Sequence, residues 1–166
     1  TDVTLNNGGE HFASAVGEVH VVVKMKEVKA VIGGEGNGGI IYPELHYGRD
    51  ALVGVALFLT HLAKSEMTMT DLKGSYPPYF ISKNKISLQE GMDVDGILEK
   101  MKVKYSNYKI NDVDGVRIDF EKEKQWVHLR KSNTEPIIRI YAESENKDSA
   151  DSLANKIIED INSLIS

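Results

Sequence analysis

The sequence contains no cysteine, which removes disulfides, zinc–thiolate centres and thiol nucleophiles together. Positive charge is also in short supply. The 20 lysines and arginines face 25 acids, and the net charge of −5 argues against a nucleic-acid module, which carries a basic face. No apolar run reaches the roughly 20 residues of a membrane-spanning helix. The longest candidate, 51–59, is broken by Gly54. Internal repeats, low-complexity tracts and an acidic tail are all missing. So are an initiator Met and a signal peptide at Thr1, and the chain is therefore expected to be a piece of something longer. The lack of cysteine fits a reducing compartment, so the expected location is the cytoplasm, with neither nucleic acid nor membrane as partner.

What remains suffices for a core: 41% of residues are hydrophobic and 27% charged, in a length of one large domain or two small ones. The most informative stretch is Arg130-Lys131-Ser132-Asn133-Thr134-Glu135-Pro136. Alternating segments flank it, Gln125-Trp126-Val127-His128-Leu129 before and Ile137-Ile138-Arg139-Ile140-Tyr141 after, which predicts a polar loop between two strands. Arg130 offers a bidentate fork. Ser132, Asn133 and Thr134 add donors, and a turn through them aims backbone N–H groups into one concavity. That combination suits a phosphate; the alternative is an ordinary hairpin turn with one exposed arginine.

A second stretch, Gly33-Gly34-Glu35-Gly36-Asn37-Gly38-Gly39, formally contains the Gly-x-Gly-x-x-Gly of dinucleotide-binding folds. That fingerprint needs a helix opening directly at the glycines. Here Ile40-Ile41-Tyr42-Pro43 comes next, extended and ended by proline. A better account is that the glycines let the backbone approach a ligand while Glu35 and Asn37 project towards it, accepting from one hydroxyl and donating to another. A glycine-rich surface turn is the alternative.

Local patterns place these motifs among regular elements. Residues 1–7 are expected to end a helix, 11–16 to form a short strand, 19–28 a helix (although Val21-Val22-Val23 would equally suit a strand), and 30–32 a buried strand of the parallel type. A long helix is expected over 43–64, apolar on more than one side. His46 and His61 lack a partner cluster at metal spacing and read as surface histidines. Residues 65–78 form a breaker-rich linker with one turn of helix. Beyond it come a strand over 79–88, a helix capped by Asp93, a strand over 116–120, the two strands around the Arg130 loop, and an amphipathic helix from about Lys147. The last half is thus a four-stranded, mainly antiparallel sheet with two helices on one face. Trp126, His128, Arg130 and Arg139 lie on the other.

Arg-x-Ser-Asn-Thr-x-Pro resembles the phosphate-binding loop in the last domain of the α-D-phosphohexomutases, which include phosphoglucomutase/phosphomannomutase and phosphoglucosamine mutase. Gly34-Glu35-Gly36-Asn37-Gly38-Gly39 resembles the sugar loop of their third domain, commonly Gly-Glu-x-Ser-Gly-His. Asn37 and Gly39 depart from that pattern. Gly17-Glu18 falls where family members contribute another loop near the sugar.

The resemblance implies a partial three-layer α/β domain over 1–66 (the C-terminal half of the third, sugar-recognition domain), a hinge over 67–78 and a C-terminal phosphate-binding domain over 79–166. It implies that Glu35 and Asn37 bind sugar hydroxyls and that Arg130, Ser132, Asn133, Thr134 and Arg139 hold the non-reacting phosphate of a hexose phosphate. The family's phosphoserine segment and its carboxylate loop for Mg²⁺ are not found here. No catalytic or metal-binding residue is therefore expected in this chain. Mg²⁺ and the preceding domains would belong to the parent enzyme, and this piece alone is expected to be inactive. A free-standing sugar-phosphate or anion-binding module, regulatory or scaffolding in role, is the alternative.

Overall fold

Glycine- and proline-rich sequence at 74–78 cannot continue a helix, and there the chain divides. The computed structural model describes residues 1–89, 91–132 and 134–165. It consists of two units, Thr1–Pro77 and Pro78–Ser166.

The first unit holds α1 (Asp2–Asn6), α2 (Glu18–Val28), β1 (Gly33–Gly34), β2 (Ile40–Ile41), α3 (Ala51–Ser65) and α4 (Met69–Gly74). The strands form a minimal antiparallel hairpin, Gly33 opposite Ile41 and Gly34 opposite Ile40. Four expectations fail here. Residues 11–16 are irregular, because alternation alone makes no strand without a neighbour to take its backbone hydrogen bonds. The run 30–32 is not a buried parallel strand: Val31 is 78% exposed, and the pairing starts only at Gly33, in the antiparallel sense. The long helix begins at Ala51, not at Pro43. Residues 42–46 close a turn in which the Leu45 and His46 amides both donate to the Tyr42 carbonyl, and the Asp50 carboxylate then caps the helix by accepting from Val53 N–H at 3.0 Å. No residue of α3 is buried, against the expectation of burial on more than one face.

The second unit is β3 (Phe80–Ser87), α5 (Val94–Lys104), β4 (Lys109–Asn111), β5 (Val116–Phe120), a 3-10 turn, β6 (Gln125–Lys131), β7 (Ile137–Ser144) and α6 (Lys147–Ile165). Every pairing is antiparallel, in the order β3-β7-β6-β5-β4. The sheet has five strands, one more than expected, because the short β4 pairs with β5 at the edge. Val116, Ile118, Val127, Leu129, Ile138, Ile140 and Ala142 point to one face and pack under Ile97, Leu98 and Met101 of α5 and Leu153, Ala154, Ile157 and Ile161 of α6. Each fully buried isoleucine or leucine there contributes about 1.5–3 kcal/mol. With both helices on one face, the other remains partly open. It carries Arg117, Trp126, His128, Arg130, Arg139, Tyr141 and Glu143, all of intermediate burial.

Candidate anion and polyol sites

Antiparallel register decides which side chains share a row on the open face. Lys85 of β3 stands opposite Arg139 of β7, and Arg139 stands opposite Arg130 of β6. Three cations thus lie side by side at the end of the sheet where the 132–136 loop emerges. The next row holds Lys83, Tyr141, His128 and Arg117. Like charges directly opposite each other are destabilising in a sheet, so the first row is unfavourable unless something negative meets it. Asp114 supplies part of that charge, its Oδ1 lying 3.2 Å from Arg130 Nε. Lys131 is paired elsewhere, with Asp95 at 2.7 Å. Arg139 and Lys85 have no acidic partner among the described residues.

The turn before β5 is built for this approach. At Gly115, φ is +78° and an added Cβ would stand 2.2 Å from the Leu129 carbonyl oxygen, so only glycine lets residue 115 lie against β6 beside Arg130. His128 Nε2 donates to the Asp114 carbonyl and fixes the same turn from the sheet side. In the loop, Ser132 is buried and its amide donates to the Ile137 carbonyl at 3.1 Å. The Ser132 hydroxyl lies 3.4 Å from both the amide and the hydroxyl of Thr134. The Pro136 carbonyl accepts from Leu88 N–H at 2.8 Å, tying the end of β3 to the loop. Asn133 lies outside the described residues.

In the first unit the glycine-rich stretch is the loop of the β1–β2 hairpin. The Glu35 amide donates to the Gly39 carbonyl, the Gly38 amide donates to the Glu35 carbonyl, and Gly38 takes φ +95° to close the turn. Strand β2 and a turn come directly after the glycines, in place of the helix that dinucleotide binding needs. The Asn37 side-chain oxygen accepts from Gly39 N–H at 3.0 Å, which leaves its amide nitrogen as the outward donor. Glu35 is half-buried and forms no ion pair with a described residue.

Two further residues frame this loop, Glu18 of the Gly17-Glu18 stretch and Arg49, which no motif marks. Arg49 Nε is 2.8 Å from Glu18 Oε2, and a Cβ on Gly39 would stand 2.9 Å from Arg49 Cδ. Glu18 is thereby drawn to the loop through Arg49, a pairing across 31 positions that no local pattern announces. Beside them, the Val53 N–H holds Asp50 below the ordinary carboxylate range; desolvation opposes it, and His46 adds to the lowering. Among the described residues no group of three or more acids and histidines stands close enough to hold a metal ion. No helix there is long and apolar enough to cross a membrane.

Comparison with known proteins covers both units. The family model for phosphoglucomutase/phosphomannomutase, alpha/beta/alpha domain III, matches residues 1–79, and that for the C-terminal domain of phosphoglucomutase/phosphomannomutase matches residues 85–160. A phosphoglucosamine/phosphogalactosamine mutase of Sulfurisphaera tokodaii is 37% identical over 86% of this chain and 31% of its own length. A phosphoglucomutase/phosphomannomutase of Thermococcus kodakarensis is 35% identical over 90% of this chain and 32% of its own. The chain therefore spans about a third of the length of the curated relatives it matches. The fold is shared with a phosphoglucomutase/phosphomannomutase family protein from Burkholderia thailandensis, with a TM-score of 0.71 and 20% identity over 93% of this chain and 33% of that one. Two successive domain matches and relatives above one-third identity lead to one assignment: the chain belongs to the phosphoglucomutase/phosphomannomutase family and carries its domain III and C-terminal domain sequences.

Proposed function

We propose that the chain is the substrate-recognition part of a phosphohexose mutase. The second unit holds the phosphate that does not react, and the first reads hydroxyl groups of the sugar. The observation that carries this reading is the Arg130–Arg139 pair, placed directly opposite on neighbouring strands at the mouth of a loop with hydroxyl and amide donors. Such a pair costs stability in the free protein and is relieved by an anion, and a guanidinium presents a flat fork to phosphate oxygens. Glu35 and the outward amide of Asn37 have the acceptor-and-donor chemistry of a polyol site. Holding a spectator phosphate fixes the sugar's orientation, and positioning is a large part of phosphoryl-transfer catalysis.

The transfer itself belongs to the rest of the parent protein, along with the phosphoryl carrier and Mg²⁺. This chain's described residues offer no donor set for that ion, and no step is assigned to it. On this proposal the chain alone converts no hexose phosphate. Its partners are a hexose phosphate and the preceding domains, in the cytoplasm. The test is titration of the chain with glucose 1-phosphate and glucosamine 6-phosphate by calorimetry and amide NMR. Arg130→Ala is expected to cost about 1.5–3 kcal/mol of binding, the worth of a charge-assisted hydrogen bond. Affinity unchanged in that variant would return the loop to a plain hairpin turn.

A further inference from the structure

Lys85 belongs to no motif, yet the register sets it in the same row as Arg139 and Arg130. We infer that Lys85 is a third member of the anion grip and that the completed row selects the dianionic form of a phosphate monoester over singly charged phosphates. This rests on the phosphate reading of the second unit and sharpens it.

Ile86, next to Lys85, is opposite Ile138 in the core, so Lys85 projects from the open face with its row partner. Three residues on, the Leu88 amide is bonded to the loop carbonyl of Pro136, which holds this end of β3 at the loop. Within the row, among the described residues, three cations face one carboxylate, Asp114, leaving two positive charges uncompensated. That number matches a monoester, whose charge at neutral pH approaches −2 with a second pKa of about 6, and exceeds what a diester brings. Glu135 stands exposed in the loop, outside the row, and Lys131 is cancelled by Asp95. The other reading of Lys85 is protection of the exposed edge of β3 against pairing with another sheet, a common use of edge lysines. That role makes no demand on ligand charge.

The experiment compares ethyl phosphate, dimethyl phosphate and sulfate as probes on the whole chain, from pH 5 to 8. The unmodified protein is expected to bind ethyl phosphate more tightly than dimethyl phosphate, with an affinity that falls as the pH drops through about 6, where the monoester takes up its second proton. Sulfate stays doubly charged over this range. Its affinity should be flat; a slope like that of ethyl phosphate would place the pH dependence in the protein, where His128, Lys83, Tyr141 and Arg117 form the neighbouring row, and would overturn the selection of the dianion. Lys85→Gln should weaken ethyl phosphate about threefold to fivefold, the upper part of the range for an exposed charge contact. It should also narrow the gap to dimethyl phosphate, and Lys85→Arg should restore both. If no anion perturbs the Arg130 and Arg139 signals, the phosphate reading and this inference fall together. If anions bind but Lys85→Gln changes neither affinity nor the monoester preference, only this inference falls, and altered self-association in that variant would assign the lysine to edge protection.

Discussion

In the second unit, apolar residues from four strands and two helices meet in one buried cluster. In the first, Met25, Ile41 and Leu72 are the only hydrophobic side chains buried among the described residues. The difference does not come from composition. Helix α3 is the most apolar helix of the chain, yet Leu52 is 82% exposed, Val55 55% and Leu59 54%. Helix α6 is less apolar overall, but its isoleucines fall on one stripe and meet a sheet face. Burial requires an opposing surface as well as hydrophobic residues, and only the second unit supplies both within this chain. The two candidate sites inherit this contrast: the cation row stands on a packed sheet, while the polyol loop stands on a two-residue hairpin braced by Arg49 and Glu18.

The comparison predicts unequal costs for equal truncations. Ile140→Ala removes a fully buried side chain from the middle of the sheet and should cost about 2–5 kcal/mol. Leu52→Ala should stay within about 0.5 kcal/mol, as exposed substitutions do. Urea unfolding, followed by amide signals of each unit separately, measures both. A Leu52→Ala variant as costly as Ile140→Ala would show that the apolar face of α3 is covered in solution and would remove the contrast.

A smaller effect tests the helix starts. Asp93 caps α5 through Gly96 N–H at 2.9 Å, and Asp50 caps α3 through Val53 N–H at 3.0 Å. Asp93→Ala should lower the stability of the second unit by about 1 kcal/mol, because α5 is locked into the core and its fraying loosens everything packed on it. Asp50→Ala should instead act locally, with faster hydrogen exchange at Val53 and a disturbed His46. A uniform loss of protection across the first unit would mean that α3 is coupled to its neighbours more tightly than its exposure implies.

The same contrast explains which parts are legible in the sequence. The period of α6 and the Asp93 cap read directly, because an amphipathic stripe and a side-chain cap are local patterns that the finished core merely confirms. Strand β4 does not read. It is three residues long, with Ile110 alone partly buried, so there is no alternation to see. In the first unit, 30–32 misleads because its apolar residues suggest partners that this chain does not place against them, and 43–50 because Pro43 suits a helix start although a turn and the Asp50 cap delay the helix to Ala51. For the sites, the arginine loop and the glycine loop carry their chemistry in consecutive residues. The joining of Lys85 to Arg139, and of Arg49 to Glu18, depends on register and on chain reversal, and neither is encoded at short range.

The smallest expected effect concerns pH. In the second unit Asp160 lies within reach of Lys104 Nζ at 2.7 Å and of the Tyr105 hydroxyl at 2.5 Å. Burial works against its charge, but those two donors outweigh it and hold the carboxyl below its ordinary range. Tyr105 is pushed above its ordinary range, first by burial and then by that carboxylate. The signs are opposite. A depressed carboxyl contributes stability above its unfolded value, near 4, and loses it as pH falls through the folded value. A raised phenol contributes fully below its unfolded value, near 10, and loses it as pH rises. The second unit should therefore be most stable between these limits and lose stability on both sides. In the first unit Tyr42 is also raised, by its hydrogen bond to Glu44, but at the surface, where salt screens the charge. Stability measured from pH 3 to 11, at low salt and at about 0.5 M, should then show the second unit keeping its basic limb and the first losing it. Tyr105→Phe should flatten the basic limb and weaken the acidic one. A basic limb that survives that substitution would place the responsible group elsewhere in the unit.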